Sequence, residues 1–326
     1  GMGEIHCVKM LGDIEMGGAG MSVTIEEMAR FVQFVANRGS WEGRQLLNPE
    51  WFDMATRKQI DNAGAGWGGD PDWQAGYCFQ FWRCAPEGVF RGDGAYGQYG
   101  VVMTKQDAVL VIHSASMKLQ AVLTAVWENI LPNMQEAPLP EDQVAYHRLQ
   151  KRLEKLELNS MLGMHNPGAE ASLNGAVYVP KTPAPGLRDI VGGPGCFIPE
   201  GGELQSIAFK FEGTKARLVC KEDRGEYVLD LGMEGHFATT LVHGVPFGAN
   251  SSWRAHDTLE VHLVNTRMVR GKRFLFKFSG SRLNVTGTPT LPEPMSLGDV
   301  ENSELSFELA EGEVNTKTRM YWEVNG

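Results

Sequence analysis

RGDGAYGQYGVVMTKQDAVLVIHS, residues 91–114, carries two runs of strand-forming residues separated by a short turn at Thr104–Gln106. The spacing predicts an antiparallel pair entered through a glycine-rich segment. Glycine has no Cβ, so backbone N–H groups at Gly92, Gly94 and Gly97 can approach another chain or a ligand closely. Two readings of the segment stand side by side: the edge over residues 92–98 lines a pocket, or it is only a glycine-rich approach to a strand.

Working outward, Thr24 opens a Thr-x-x-Glu capping box with Glu27, after which Met28, Phe31, Val32 and Val35 recur at helical spacing up to Gly39. Asn48 and Pro49 signal a second, short helix with Trp51 and Met54 facing inward. Asp61–Gly76, rich in Gly, Asp and Trp, reads as a long loop. Strands over Gly76–Arg83 and Gly88–Arg91 lead into a turn at Gly92. Beyond the hairpin, Leu119, Val122, Leu123, Val126 and Ile130 define an amphipathic helix ending at Pro132. A linker over 133–140 precedes a helix from Glu141 to about Leu158 with Val144, Leu149, Leu153 and Leu156 on one stripe, which is expected to bridge two halves.

From about Gly168 short strands alternate with Gly, Pro and Asn turns: 196–198, 204–211, 216–220, 226–231, 236–242, 258–264, 273–278, 282–285, 305–309 and 318–324. Such a series with no helix-length break implies an antiparallel meander, closed as a barrel or stacked as a sandwich, with the barrel favoured. The expected fold class is therefore α+β. An antiparallel sheet with helices spans 1–132, a linker with the bridging helix spans 133–167, and an all-β domain spans 168–326.

The run Gly17-Gly-Ala-Gly-Met-Ser-Val-Thr-Ile-Glu-Glu-Met-Ala-Arg-Phe31 and the segment Gly92-Asp93-Gly94-Ala95-Tyr96-Gly97-Gln98 together resemble the C-terminal half of serine hydrolases of the class C β-lactamase and penicillin-binding-protein type. The resemblance covers roughly residues 14–132. It implies a partial β-lactamase-like sheet with Gly92-Asp93-Gly94 in the place of the family's Lys-Thr-Gly or His-x-Gly triplet. Ala95 N–H would then be an oxyanion donor, with Tyr96 and Gln98 lining the cleft. The family's Ser-x-x-Lys and Tyr-x-Asn motifs do not occur in this sequence, and Ser172-Leu-Asn174 matches only a looser Ser-x-Asn form outside the resembling region. No catalytic residue is assigned, and the chain reads as half of a catalytic domain.

A net charge of −10 argues against a nucleic-acid surface, since phosphate contact needs clustered Lys and Arg. No apolar run approaches the roughly 20 residues of a membrane-spanning helix. Gly1-Met2 reads as a tag remnant before a start codon, and an upstream frame remains open as the source of the missing motifs. Five scattered cysteines suit free thiols in a reducing compartment, which slightly favours the cytoplasm. Neither a cofactor nor a metal is expected. Asp70 and Asp72 are too few for a calcium loop, and His236, His243, His256 and His262 lack zinc-site spacing. His262 is expected to face solvent.

Several residues keep two readings. Arg91 is a solvent-exposed turn residue or a substrate clamp, and Trp67 and Trp73 wall a pocket or fill a core. His113 is expected to satisfy a backbone group, Lys118 to start a helix on the surface, and Cys78 and Cys84 to be small core residues. Gly92 lacks the triplet's cation and Asp93 adds a negative charge, so the resemblance implies an ester or amide substrate without a carboxylate. The expected function is that of a β-lactamase-related serine hydrolase, inactive as this chain alone. The alternative is a non-catalytic binding protein that self-associates or pairs with a missing N-terminal half. A third reading makes the β domain a barrel-type ligand binder.

Overall fold

The computed structural model describes residues 3, 5–7, 14–15, 19–64, 69–158, 161–186, 202–242, 244–269, 271–290 and 303–310. It forms two compact units, Gly1–Lys151 and Arg152–Gly326.

In the first unit a short pair, β1 (His6–Cys7) with β2 (Met21–Ser22), precedes α1 (Ile25–Ala36). The capping box forms as its residues require: Glu27 N–H donates to Thr24 Oγ1 at 3.2 Å, and Thr24 N–H donates back to the Glu27 carboxylate at 2.8 Å. These bonds, with a further one from Gly3 N–H, hold the Glu27 carboxyl below its ordinary range. Val32 and Val35 are buried, whereas Phe31, expected on the same face, is exposed. A two-residue ribbon, β3 (Ser40–Trp41) with β4 (Arg44–Gln45), leads to α2 (Pro49–Thr56), whose Asn48 side chain accepts from Glu50 N–H at 2.9 Å. Here the expected inward face is corrected. Phe52 and Ala55 are buried and Trp51 and Met54 point outward, because Phe52 packs edge-on against Phe34 at 5.7 Å.

Four antiparallel strands, β5 (Trp82–Arg83), β6 (Val89–Gly94), β7 (Gln98–Met103) and β8 (Ala108–Ile112), pair in that order. The turn expected at 104–106 is present. The continuous strand expected over Gly76–Arg83 is reduced to β5 and two isolated bridges at Tyr77, to Ile60 and to Trp82. Period-two alternation sends Phe90 and Val102 to the side of α1 and α2, while Val89, Tyr99, Val101 and Met103 meet α3 (Leu119–Asn129) on the other side. The sheet is thus sandwiched between helices, and Gly100 lets α1 approach: a Cβ there would lie 2.6 Å from Val32 Cγ2. The next helix, α4 (Gln143–Leu153), is shorter than the expected 141–158, and its Val144, Leu149 and Leu153 are exposed.

The second unit opens with α5 (Pro167–Leu173), capped by Asn166 and absent from the sequence reading. The strands follow as β9 (Val177–Pro180), β10 (Ala184–Pro185), β11 (Glu203–Glu212), β12 (Lys215–Glu222), β13 (Gly225–Leu231), β14 (Ala238–Val242), β15 (Val245–Ala255), β16 (Thr258–Asn265), β17 (Gly271–Ser279), β18 (Arg282–Pro289) and β19 (Ser303–Leu309). Ten of them make one antiparallel path in the order β13-β12-β11-β9-β19-β18-β17-β16-β15-β14, a nearly closed barrel. Its seam is spanned by Asp230 N–H donating to Thr240 Oγ1 at 2.8 Å and by Gly232 N–H donating to Ala249 O at 2.9 Å. The strands expected at 196–198 and 318–324 lie outside the described residues.

Aromatic side chains fill the barrel. Phe209, Trp253, Phe278 and Tyr178 are no more than 2% exposed, and the Phe209 ring lies 5.0 Å from Phe276 and 5.9 Å from Phe278. This filling argues against the third reading, in which a ligand occupies the middle of the barrel.

The unexpected strand β15 carries Asn250, Ser251 and Ser252, all fully buried. Their partners explain them. Met161 N–H donates to Asn250 Oδ1 at 3.0 Å, Asn250 Nδ2 donates to His236 O at 2.8 Å, and Ser252 Oγ both accepts from Met164 N–H and donates to Leu162 O. A strap over Met161–Met164 is thereby pinned across the strand.

Replacing Asn250 by Ala should destabilise the second unit by about 1–3 kcal/mol, since it strands the buried Met161 N–H and removes the bond to the part-buried His236 O. Urea denaturation followed by Trp253 fluorescence measures it.

Candidate functional site

The hairpin of β6 and β7 turns through Ala95-Tyr96-Gly97 rather than at Gly92, so Gly92, Asp93 and Gly94 belong to the strand. Gly92 pairs with Gly100 and Gly94 with Gln98. On the opposite side β5 pairs only as far as Arg91. Cys84 N–H donates to Val89 O at 3.1 Å, which fixes the alternation: Val89 and Arg91 turn their peptide groups toward β5, and Asp93 turns its own to the same side. No strand pairs there among the described residues. Ala95, next in that parity, is exposed at the tip. Gly92 faces the other way in side-chain terms, and a Cβ built on it meets nothing within 4 Å.

The tip is held in an uncommon conformation. Tyr96 has φ of 65° and is buried, a left-handed backbone that costs a bulky residue on the order of 1–3 kcal/mol. Three bonds offset the cost: Ser114 Oγ shares its proton between Tyr96 O at 2.7 Å and Gly97 O at 2.9 Å, and Ser116 N–H donates to Tyr96 O at 3.0 Å. Gly97 is required there, since a Cβ would fall 2.3 Å from Ser114 Oγ. The Gln98 carboxamide donates to Ser114 O, which braces the tip.

Beneath the strand lies Arg91, and neither sequence reading of it survives. It has no exposed surface. Its Nε donates to Asp93 Oδ2 at 2.8 Å and its Nη1 to Asp72 O at 2.9 Å, and its guanidinium carbon lies 4.6 Å from the Trp73 ring, 5.7 Å from Trp82 and 5.8 Å from Tyr99. Arg91 is a buried cation in an aromatic enclosure. Asp72 is also consumed internally, accepting from Ala85 N–H, Gln120 Nε2 and Trp127 Nε1, which removes it from any calcium loop. Among the described residues no group of three or more His, Cys, Asp or Glu could hold a metal.

The Asp93 side chain is only 9% exposed and paired with Arg91. The repulsion expected between Asp93 and a substrate carboxylate is therefore corrected: the charge is compensated below the sheet. Burial pushes the Asp93 carboxyl up against the pull of Arg91. Cys84, in the same cluster, is raised by burial to about 11, so it stays a thiol, and buried Cys78 donates to Thr56 O. Trp73 is core. Lys118 sits exposed at the start of α3, and His113, expected to satisfy a backbone group, is exposed and makes no hydrogen bond among the described residues. His262 is half-buried against Phe237 at 5.5 Å, and His236 and His256 are exposed. Gly17, Gly18, Trp67 and His243 lie outside the described residues. The missed signal was parity: Arg91 and Asp93 stand two apart on one strand, facing Trp82 and Tyr99 across it.

No protein-family model matches the chain, and no curated protein matches it. Among solved structures, a "Putative 6-aminohexanoate-dimer hydrolase from Bacillus anthracis" is 24% identical over 47% of this chain and 35% of its own, with a TM-score of 0.30. The chain thus spans about a third of that protein's length. A Schistosoma mansoni fatty acid binding protein is 11% identical over 43% of this chain and 98% of its own, with a TM-score of 0.31. The octameric penicillin-binding protein homologue from Pyrococcus abyssi is 10% identical over 88% and 47%, with a TM-score of 0.26. None superposes closely, and the reading of the site rests on its own residues.

Replacing Arg91 by Met should cost about 3–5 kcal/mol at neutral pH, because it leaves the Asp93 carboxylate buried and unpaired. Adding Asp93→Asn should recover part of that loss. The penalty of the single variant should also shrink as pH falls and Asp93 takes up a proton, which chemical denaturation at several pH values measures.

Proposed function

We propose that the hairpin Val89–Met103 is the donor edge of an acyl-transfer cleft of the serine-hydrolase type, and that this chain is catalytically silent alone. The observation that carries the reading is the open side of β6. There the Asp93 peptide and Ala95 N–H share one edge that no described strand pairs, beside an unfilled Gly92, with the tip above them locked by Ser114 and Ser116. Preorganised N–H groups on a rigid strand are what stabilise a developing oxyanion. The helix-backed antiparallel sheet and the resemblance of residues 14–132 support the same assignment. No cation stands at Gly92, so a small ester or amide suits the edge better than a substrate needing its carboxylate clamped. The attacking group would come from a polypeptide segment not contained in this sequence.

A second reading has its own observation. Leu46, Leu47, Trp51 and Met54, at and just before α2, are 40–59% exposed. Apolar surface of this kind is normally covered by a partner, either another copy or the remainder of a catalytic domain. In the described residues no helix is long and apolar enough to cross a membrane.

Incubation of the purified chain with an activated ester and a fluorophosphonate probe should label no serine, and stoichiometric labelling would refute the silent-chain reading. For the second reading, sedimentation should show association that grows with concentration and is weakened by Trp51→Glu. A clean monomer throughout would count against it.

A further inference from the structure

The sheet of the first unit ends in a strand with the composition of an interior one. β8 is Ala108-Val-Leu-Val-Ile112, with no charge, no proline and no bulge, and all five residues are half-buried. Ala108, Leu110 and Ile112 pack on the α3 side and Val109 and Val111 on the α1 side, so both faces of the strand are apolar and covered. Natural sheets blunt an exposed edge with a lysine, a proline, a bulge or a very short strand. The opposite end of this sheet follows that rule, since β5 has two residues and one of them is Arg83. β8 does not, and no strand pairs with its outer side among the described residues.

Hydrogen-bond parity fixes what that side offers. Arg91 turns its peptide group toward β5, so Gly92 turns its own toward β7 and meets Gly100. Val101 therefore turns to β8 and meets Leu110. Ala108, Leu110 and Ile112 direct their peptide groups to β7, which leaves the N–H and C=O of Val109 and Val111 pointing away from the sheet. None of these groups has a hydrogen-bond partner among the described residues.

We propose that the outer edge of β8 pairs antiparallel with the same edge of a second copy of this chain, about a two-fold axis at Leu110. The strand is complementary to itself in that register. Val109 faces Val111 of the second copy, and Val111 faces its Val109, as hydrogen-bonded pairs that satisfy every outward N–H and C=O, while Leu110 faces Leu110 as the non-hydrogen-bonded pair between them. The same register brings exposed Asp107 level with exposed His113 of the second copy at both ends, a carboxylate against a ring N–H. A slip of two residues sets Asp107 opposite Val111, or His113 opposite Val109, and loses that polar pair. Glu26 of α1 acts on the His113 imidazole from its own chain, so the backbone bonds hold the copies together and Asp107 selects the register. The inference rests on the self-association named in the second reading and gives it a surface apart from the exposed residues around α2.

The test uses the full chain. Sedimentation should show a monomer–dimer equilibrium, because a two-fold pairing occupies the edge of both copies. Val111→Pro removes an outward N–H and no bond to β7, so it should fold and weaken dimerisation by at least about tenfold, whereas Trp51→Glu should leave the β8 pairing in place. Leu110→Cys should form an intermolecular disulfide on mild oxidation beyond any that the native chain forms, since residues of a non-hydrogen-bonded pair lie about 4.5 Å apart at Cα. Where either variant misfolds, amide exchange of the native chain decides. Protection of Val109 and Val111 should rise at least about tenfold with concentration, while Leu110 and Ile112, already bonded to β7, change less. A monomer at every concentration overturns this proposal and the second reading together. Association that Trp51→Glu abolishes and Val111→Pro leaves intact keeps the second reading and overturns this one, as does full protection of Val109 and Val111 at high dilution, which would mean that the chain covers its own edge.

Discussion

The first unit depends on one buried guanidinium. Arg91 cannot give up its proton, so its charge must be met inside the protein. It is met by the Asp93 carboxylate, by two backbone carbonyls, and by the faces of Trp73, Trp82 and Tyr99. A desolvated cation on an aromatic face contributes about 2 kcal/mol, and here three rings share it. The same cluster joins elements far apart in sequence. Asp72 holds Arg91 through its carbonyl and α3 through its carboxylate, and Tyr99 O–H donates to Leu119 O at 3.2 Å. The inner side of β6 is thus largely committed, with Arg91 Nη2 left without a hydrogen-bond partner.

That commitment bears on the chemistry of the edge. An oxyanion donor is useful in proportion to how little it moves when charge develops. Asp93 is anchored from below by Arg91, and the Tyr96 tip is anchored from the side by Ser114 and Ser116. Strain at Tyr96 and burial of charge at Arg91 both cost stability, and both are concentrated within six residues of one edge. On the proposed reading, that rigidity is what an oxyanion donor requires.

Legibility in the sequence followed the range of the interactions. The α1 capping box and the α2 cap involve residues two or three apart, and both were readable at Thr24–Glu27 and Asn48–Glu50. The hairpin turn at 104 and most barrel strands were readable from alternation. The inward face of α2 was not, because an eight-residue helix presents Trp51, Phe52, Met54 and Ala55 with too few turns to choose among them, and contact with Phe34 made the choice. Strand β15 was missed because Asn250-Ser-Ser-Trp253 has the composition of a turn. Its polar groups are strand residues whose partners sit some ninety positions earlier in the strap at 161–164. Arg91 was misread for the same reason, since nothing local tells a glycine-flanked arginine at a turn from one whose three rings arrive from residues 73, 82 and 99.

The two units handle buried polarity in the same way. Around Arg91 the guanidinium meets a carboxylate, two backbone carbonyls and three rings, although its Nη2 makes no hydrogen bond. On β15 Asn250 and Ser252 bind the strap at 161–164, while the Asn250 amide and the Ser251 hydroxyl donate to His236 O and Gly232 O on the neighbouring segment. In each case partners come from far along the chain, so a polar group taken out of water fixes one long-range contact where apolar packing alone would tolerate several. Buried polarity in this protein is thus a device for register and position more than for net stability.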